Sequence, residues 1–176
     1  MCYYLLAKAQ KRGNEMENNY TLQLPRWDDL PDLDLYLEQV LSLIEKWLGQ
    51  SFFCDEKKIM TKTMINNYVK QQVINPPVNK RYDRLSVASL FVVSILKTVY
   101  SMNDITKLIH LALEVNESGT SYDRFCDAME NAVKKVFSGE AFPGKENLSE
   151  AQYLLQMIAE SFACTCYART SYLSKV

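Results

Sequence analysis

Thr63, Asn66, Asn67 and Lys70 stand at i, i+3, i+4 and i+7 in the middle of the chain, within TKTMINNYVKQQ. On a helix that spacing gathers them on one polar face, while Ile65, Tyr68, Val69 and Val73 share the opposite, apolar one. The chemistry such a face offers is recognition: amide and hydroxyl groups reach base edges, and ammonium groups reach phosphate oxygens, in the major groove of DNA. Lys62 adds a cation at the start of the same helix, and Lys80, Arg81 and Arg84 follow in NKRYDR. From Lys57 to Arg84 the chain carries seven basic residues and one acid, so a segment of +6 sits in a remainder of −7. That asymmetry is the footprint of a polyanion-binding patch on a body that avoids unspecific sticking.

Covalent chemistry finds no comparable set. His110, the single histidine, has no cysteine or carboxylate at the spacing of a nucleophile and its base, so a structural or surface role fits it better than general-base work. Glycine-rich phosphate loops, nucleophile elbows and two-histidine metal motifs are missing from the sequence. Cys164 and Cys166 are two apart, about 200° around a helix, so they diverge rather than share an ion. No enzyme, cofactor or metal site is expected. The aromatics Tyr122, Phe125, Tyr153, Phe162, Tyr167 and Tyr172 suit a packed core, a dimer seam or the lining of a ligand pocket.

The elements that must position the polar face read as helices. The chain has 176 residues, 48% of them hydrophobic, with five glycines and five prolines, which favours an all-α protein. Residues 1–23 read as a flexible extension, with Met1 and Met16 both candidate starts. From Leu24, two prolines hold the entry extended; a helix then begins near Asp32, with Leu33, Leu37, Val40, Leu41, Ile44 and Leu48 as its stripe, and stops at Gly49. Phe52 and Phe53 turn back into the core. The polar-faced helix, residues 61–74, is capped by Thr61 or Thr63 and closed by Asn75, Pro76 and Pro77. Val78 to Tyr82 suits one arm of a small β wing, with Lys80 and Arg81 outward and Val78 and Tyr82 as anchors.

Arg84 to Tyr100 is apolar nearly all round and predicts an enclosed helix. Further helices are expected after Ser101 and Asp104, from Ser121, and from the capping pattern at Asn147 to Glu150, the last two as an antiparallel hairpin. An odd count of five cysteines without a small-domain framework points to reduced thiols in the cytosol. No run approaches the ~20 apolar residues of a membrane span.

This order of elements, with TKTMINNYVKQQVINPP as second helix and turn, KRYDR as wing and LSVASLFVVSILKTVYSMNDITKLIHLAL as the next two helices, resembles MerR-type winged helix-turn-helix regulators. LPRWDDLPDLDLYLEQV followed by TKTMINNYVK is more closely similar to an uncharacterised bacterial family of YkrK-like domains of unknown function, grouped near MerR, over Leu24 to Leu113. The resemblance implies a homodimeric transcription regulator that binds double-stranded DNA. Its DNA-binding region would span residues 24–116, and a helical region, 117–176, would serve dimerisation or the sensing of a small-molecule effector. Residues Lys62, Thr63, Asn66, Asn67 and Lys70 then fall on the recognition helix, and Lys80, Arg81 and Arg84 on the wing. Tyr68 matches a tyrosine of the pattern, whereas Asn67 replaces its arginine and no glycine precedes Tyr82. The four acids Asp28, Asp29, Asp32 and Asp34 are expected to face away from the duplex. The rival reading of the basic segment is a helical adaptor for an acidic protein partner.

Overall fold

The computed structural model describes residues 20–53, 58–115 and 117–173. The proposed extension up to residue 19, the alternative starts, Cys2, Cys54, Lys57 and Asn116 lie outside the described residues. The fold is mostly helical. Among the described residues, six α-helices are joined by one small sheet: α1 (Leu37–Leu48), α2 (Lys62–Lys70), α3 (Arg84–Leu96), α4 (Met102–Val115), α5 (Ser118–Ser138) and α6 (Glu150–Ser171), with strands β1 (Leu35–Tyr36) and β2 (Arg81–Tyr82).

Helix α1 begins later than its stripe implied. The sheet takes Leu35 and Tyr36 out of the helix, pairing them antiparallel with Tyr82 and Arg81. The first turn then starts at an extended Tyr36, whose N–H donates to Gln39 Oε1 at 2.9 Å. Leu33 is therefore no part of the apolar stripe and is 80% exposed, whereas Val40, Ile44 and Leu48 are fully buried.

Helix α2 is capped by Thr61, whose Oγ1 accepts from the Met64 N–H at 3.3 Å. It ends before the prolines are reached. Gln72 takes a left-handed φ of 57°, and the N–H groups of Gln72 and Val73 return to the carbonyls of Val69 and Tyr68 at 3.1 and 2.9 Å. This paired closure satisfies the last carbonyls and turns Val73 inward, so the helix is shorter than the 61–74 expected.

The segment expected to form a wing arm is a two-residue hairpin. Val78 and Arg81 exchange both backbone hydrogen bonds, at 3.0 and 2.9 Å, around Asn79 and Lys80, whose φ angles are 51° and 63°. Two left-handed residues make the turn whose twist matches that of the flanking strands. Because the chain reverses between 78 and 81, simple alternation fails: Tyr82 is buried as expected, but Val78 is 71% exposed.

Asp83 caps α3 by accepting from the Ser86 N–H at 2.8 Å, and ten residues of this helix are buried. It is the hub of the core. Ser101 and Asp104 start α4 as the sequence implied, with the Asp104 N–H on Ser101 Oγ at 3.2 Å. Helix α5 starts before Ser121, whose hydroxyl donates instead to the Ala112 carbonyl, and it stops at Gly139 with a φ of 74°. Ser149, paired reciprocally with Gln152, caps α6.

The last two helices do not form the antiparallel hairpin expected. Phe137, at the end of α5, meets Tyr167, near the end of α6, at a ring separation of 5.1 Å. The connection 139–149 runs back along α6, with Gln156 Nε2 donating to the Pro143 carbonyl at 3.1 Å. A connection longer than the two to five residues of a tight helical hairpin leaves room for that course. Phe52 packs on Phe137 and Phe53 on Phe162, so the chain after α1 does return to the core.

Candidate nucleic-acid interface

Helix α2 divides as its periodicity required. Ile65 and Tyr68 are buried against the core, and Lys62, Thr63, Asn66, Asn67 and Lys70 are exposed. A nine-residue helix is marginal in water, so this one is held by its Thr61 cap, its buried side and the left-handed closure. The outward amides and ammonium groups are thereby fixed to a rigid rod.

Arg81, on β2, follows that rod in the chain, and its guanidinium is already oriented. Nη2 donates to the Tyr36 hydroxyl at 2.9 Å, and the group lies over the Tyr36 ring, 4.7 Å from its centroid. Tyr36 thus positions Arg81, a role hidden in the sequence because a helix beginning near Asp32 would contain it. Its signal was the alternation in LDLY, four residues that read equally as strand. Lys80 is exposed at the hairpin tip.

Arg84 stands apart from the other cations. It forms an ion pair with Asp32, its Nε donates to the Pro31 carbonyl at 3.4 Å, and its guanidinium faces the Trp27 ring at 5.5 Å. Instead of reaching outward from the wing, it fastens the start of α3 to the segment before β1. Asp32 is thus turned to an internal cation, and Asp29 accepts from the Arg26 N–H at 2.8 Å.

A second cluster, which meets Arg84 through Trp27, had no local signal in the sequence. Asp123, Asp127 and Glu130 line one side of α5 and hold the segment Leu24 to Trp27. Arg26 forks onto Glu130 at 3.0 and 2.7 Å and reaches Asp127 at 2.9 Å; Glu130 also accepts from the Leu24 N–H at 2.8 Å, and Asp123 from the Trp27 N–H at 2.7 Å. The hydrogen bonds it donates to Glu130 raise the Arg26 pKa further above its ordinary value, so it is cationic at any working pH. Gly119 completes the seat: a Cβ there would lie 2.9 Å from the Trp27 ring. Beneath the strap, burial pushes the Cys126 thiol up to about 12, and its Sγ lies 3.6 Å from the Pro25 carbonyl.

Cys164 is exposed and Cys166 buried, diverging as their spacing implied, and His110 is exposed on α4. Among the described residues, no group of three or more His, Cys, Asp or Glu converges as a metal site would require. Among them, too, no helix is long and apolar enough to cross a membrane.

The family described as "Domain of unknown function (DUF1836)" matches residues 25–129. No curated protein matches the chain, and no solved structure does.

Proposed function

We propose that this chain, which belongs to the DUF1836 family of domains of unknown function, is a cytoplasmic, sequence-specific DNA-binding regulator of the winged helix-turn-helix kind. It acts as a homodimer, with α2 in the major groove and the hairpin at Val78 to Arg81 on the adjacent backbone. The MerR-like and YkrK-like resemblance belongs to this proposal. The observation that carries it is the division of α2: a buried Ile65 and Tyr68 behind an exposed row of Thr63, Asn66, Asn67 and Lys70. The function is binding and recruitment or exclusion, without covalent chemistry, cofactor or metal.

Within this reading, Asn66 and Asn67 read base edges, Lys62, Lys70, Lys80 and Arg81 meet phosphates, and Arg84 holds the frame. Selection from random duplex fragments at moderate salt tests it, with a pseudo-palindromic site as the expected product. Asn66→Ala or Asn67→Ala then relaxes base preference by about 1 to 3 kcal/mol per lost bidentate contact, whereas Arg81→Ala weakens all sequences alike. Uniform loss in all three variants, or no enriched site, overturns the proposal.

An adaptor for an acidic protein is the second reading. It is favoured by Leu33, Val78 and Tyr36, large apolar side chains left exposed around β1 and the hairpin beside Arg81. Duplex binding falls steeply with salt, through release of counterions. A partner held by apolar contact as well as charge would resist salt better and need no duplex.

A further inference from the structure

Helix α6 has a second apolar side. Ile158, Phe162 and Cys166 face the core, yet Leu154 (43% exposed), Met157 (40% exposed), Cys164 and Ala168 lie on the outward face. With Ser161 they follow the spacing 3, 4, 3, 4 that keeps side chains on one seam of a helix packed against another. Between Leu154 and Ala168 the seam bears no ionisable side chain except the Cys164 thiol. The Ser161 hydroxyl donates back to the Met157 carbonyl at 2.8 Å, and the flanking Thr165 hydroxyl to the Ser161 carbonyl at 2.8 Å. Both donors are thus satisfied within the helix, so covering this face strands neither of them.

We infer that the outward seam of α6 is the seat of a second copy of this chain, packed antiparallel about a two-fold axis near Ser161. Bulk along the seam is unequal: Leu154 and Met157 fill its first half, and Cys164 and Ala168 leave its second half shallow. An isologous pair must be complementary to itself. Centred on Ser161, the antiparallel arrangement sets each Leu154 over Ala168 of the other copy and each Met157 over its Cys164. A parallel pair would stack bulk on bulk and leave the shallow half unfilled. Glu150 pairs with Lys145 at 3.1 Å and Arg169 donates to the Thr98 carbonyl at 3.5 Å, so both charges at the ends of α6 are engaged within the chain and the seam is left to apolar contact. The two Glu160 side chains flank the axis on the rim, where salt screens their repulsion. A four-turn seam buries on the order of 1,000 Å² in all, the low end of specific interfaces, which fits a weak, reversible dimer. The seam supplies the two-fold that the DNA-binding reading needs, but it stands on α6 alone.

Light scattering on the full chain across the micromolar range tests the inference. The expected result is a dimer that holds or tightens with added salt, and a monomer of unchanged helical circular dichroism for Met157→Glu and for Leu154→Glu. A monomeric parent chain, or a dimer indifferent to both substitutions, overturns the seam. Orientation is read in a chain with Cys2, Cys54 and Cys164 changed to Ser. Ser161→Cys there joins two copies under mild oxidation, because the two Cα atoms come within the roughly 6 Å a disulfide spans, and Leu154→Cys does not. The reverse pattern overturns the antiparallel register. Duplex binding is measured on the same samples: a seam dimer that binds no duplex sustains this inference and defeats the DNA reading, and a monomer that binds duplex does the opposite.

Discussion

Lys80 occupies a backbone conformation that suits glycine better. At a φ of 63° its Cβ is crowded against its own carbonyl, at a cost of about 1 kcal/mol or more, and an Asn-Gly pair would make this hairpin turn with less strain. The chain keeps a cation at the tip nonetheless, which is what a phosphate contact would require. Lys80→Gly separates the two roles. The expected outcome is a thermal midpoint equal to or above that of the parent, with duplex affinity lowered and the slope of log affinity against log salt reduced by about one. A fall in the midpoint, or an unchanged slope, would show that the residue serves the turn and not the ligand. Asn66, Asn67 and Lys70 were legible in the sequence because a helix converts spacing directly into direction. Arg84 was not, since its direction depends on Asp32 and Trp27, which only the folded chain brings near it.

At the scale of elements, what was readable followed from local rules. The buried character of α3, the cap at Thr61 and the two faces of α2 each rest on residues within a turn or two of one another. The start of α1, the closure of α2 at Gln72 and the course of the 139–149 connection were lost because each is decided by competition. Pairing with β2 claims Leu35 and Tyr36 before the helix can, and a left-handed Gln72 ends α2 before the prolines are reached. The strap over α5 was invisible for a further reason: Arg26 and Glu130 are 104 residues apart. Its strength can be measured. Glu130→Ala removes the acceptor for the Leu24 N–H and for both arms of the Arg26 fork, and about 2 kcal/mol of stability should go with it. In a double-mutant cycle with Arg26→Ala, urea unfolding should give a coupling of about 1 kcal/mol, and strict additivity would show that the fork contributes nothing.

For the molecule as a whole, the buried thiol beneath the strap makes stability depend on alkaline pH. Folding raises the Cys126 pKa from its usual value near 9 to about 12. Below pH 9 both the folded and the unfolded chain hold the proton, and the stabilisation is complete. Above it the unfolded chain releases the proton while the folded chain retains it, so stability should fall by up to about 1.4 kcal/mol per pH unit as the pH climbs toward 12. Tyr122, also raised by burial, steepens the loss at the upper end. Unfolding free energies measured from about pH 8 to 11 should show the decline, and Cys126→Ala should flatten its first part. A flat parent profile would mean that the thiol meets water in the folded state.

Trp27 packs edge-on to Tyr122 of α5 and also receives the Arg84 guanidinium at the head of α3. One indole therefore touches both α3 and α5, and a cut between α4 and α5 would strip it on one side. Limited proteolysis should accordingly release no persistent fragment ending between α4 and α5, and the intrinsic fluorescence of Trp27, read in a Trp47→Phe chain, should change in a single step as the chain melts.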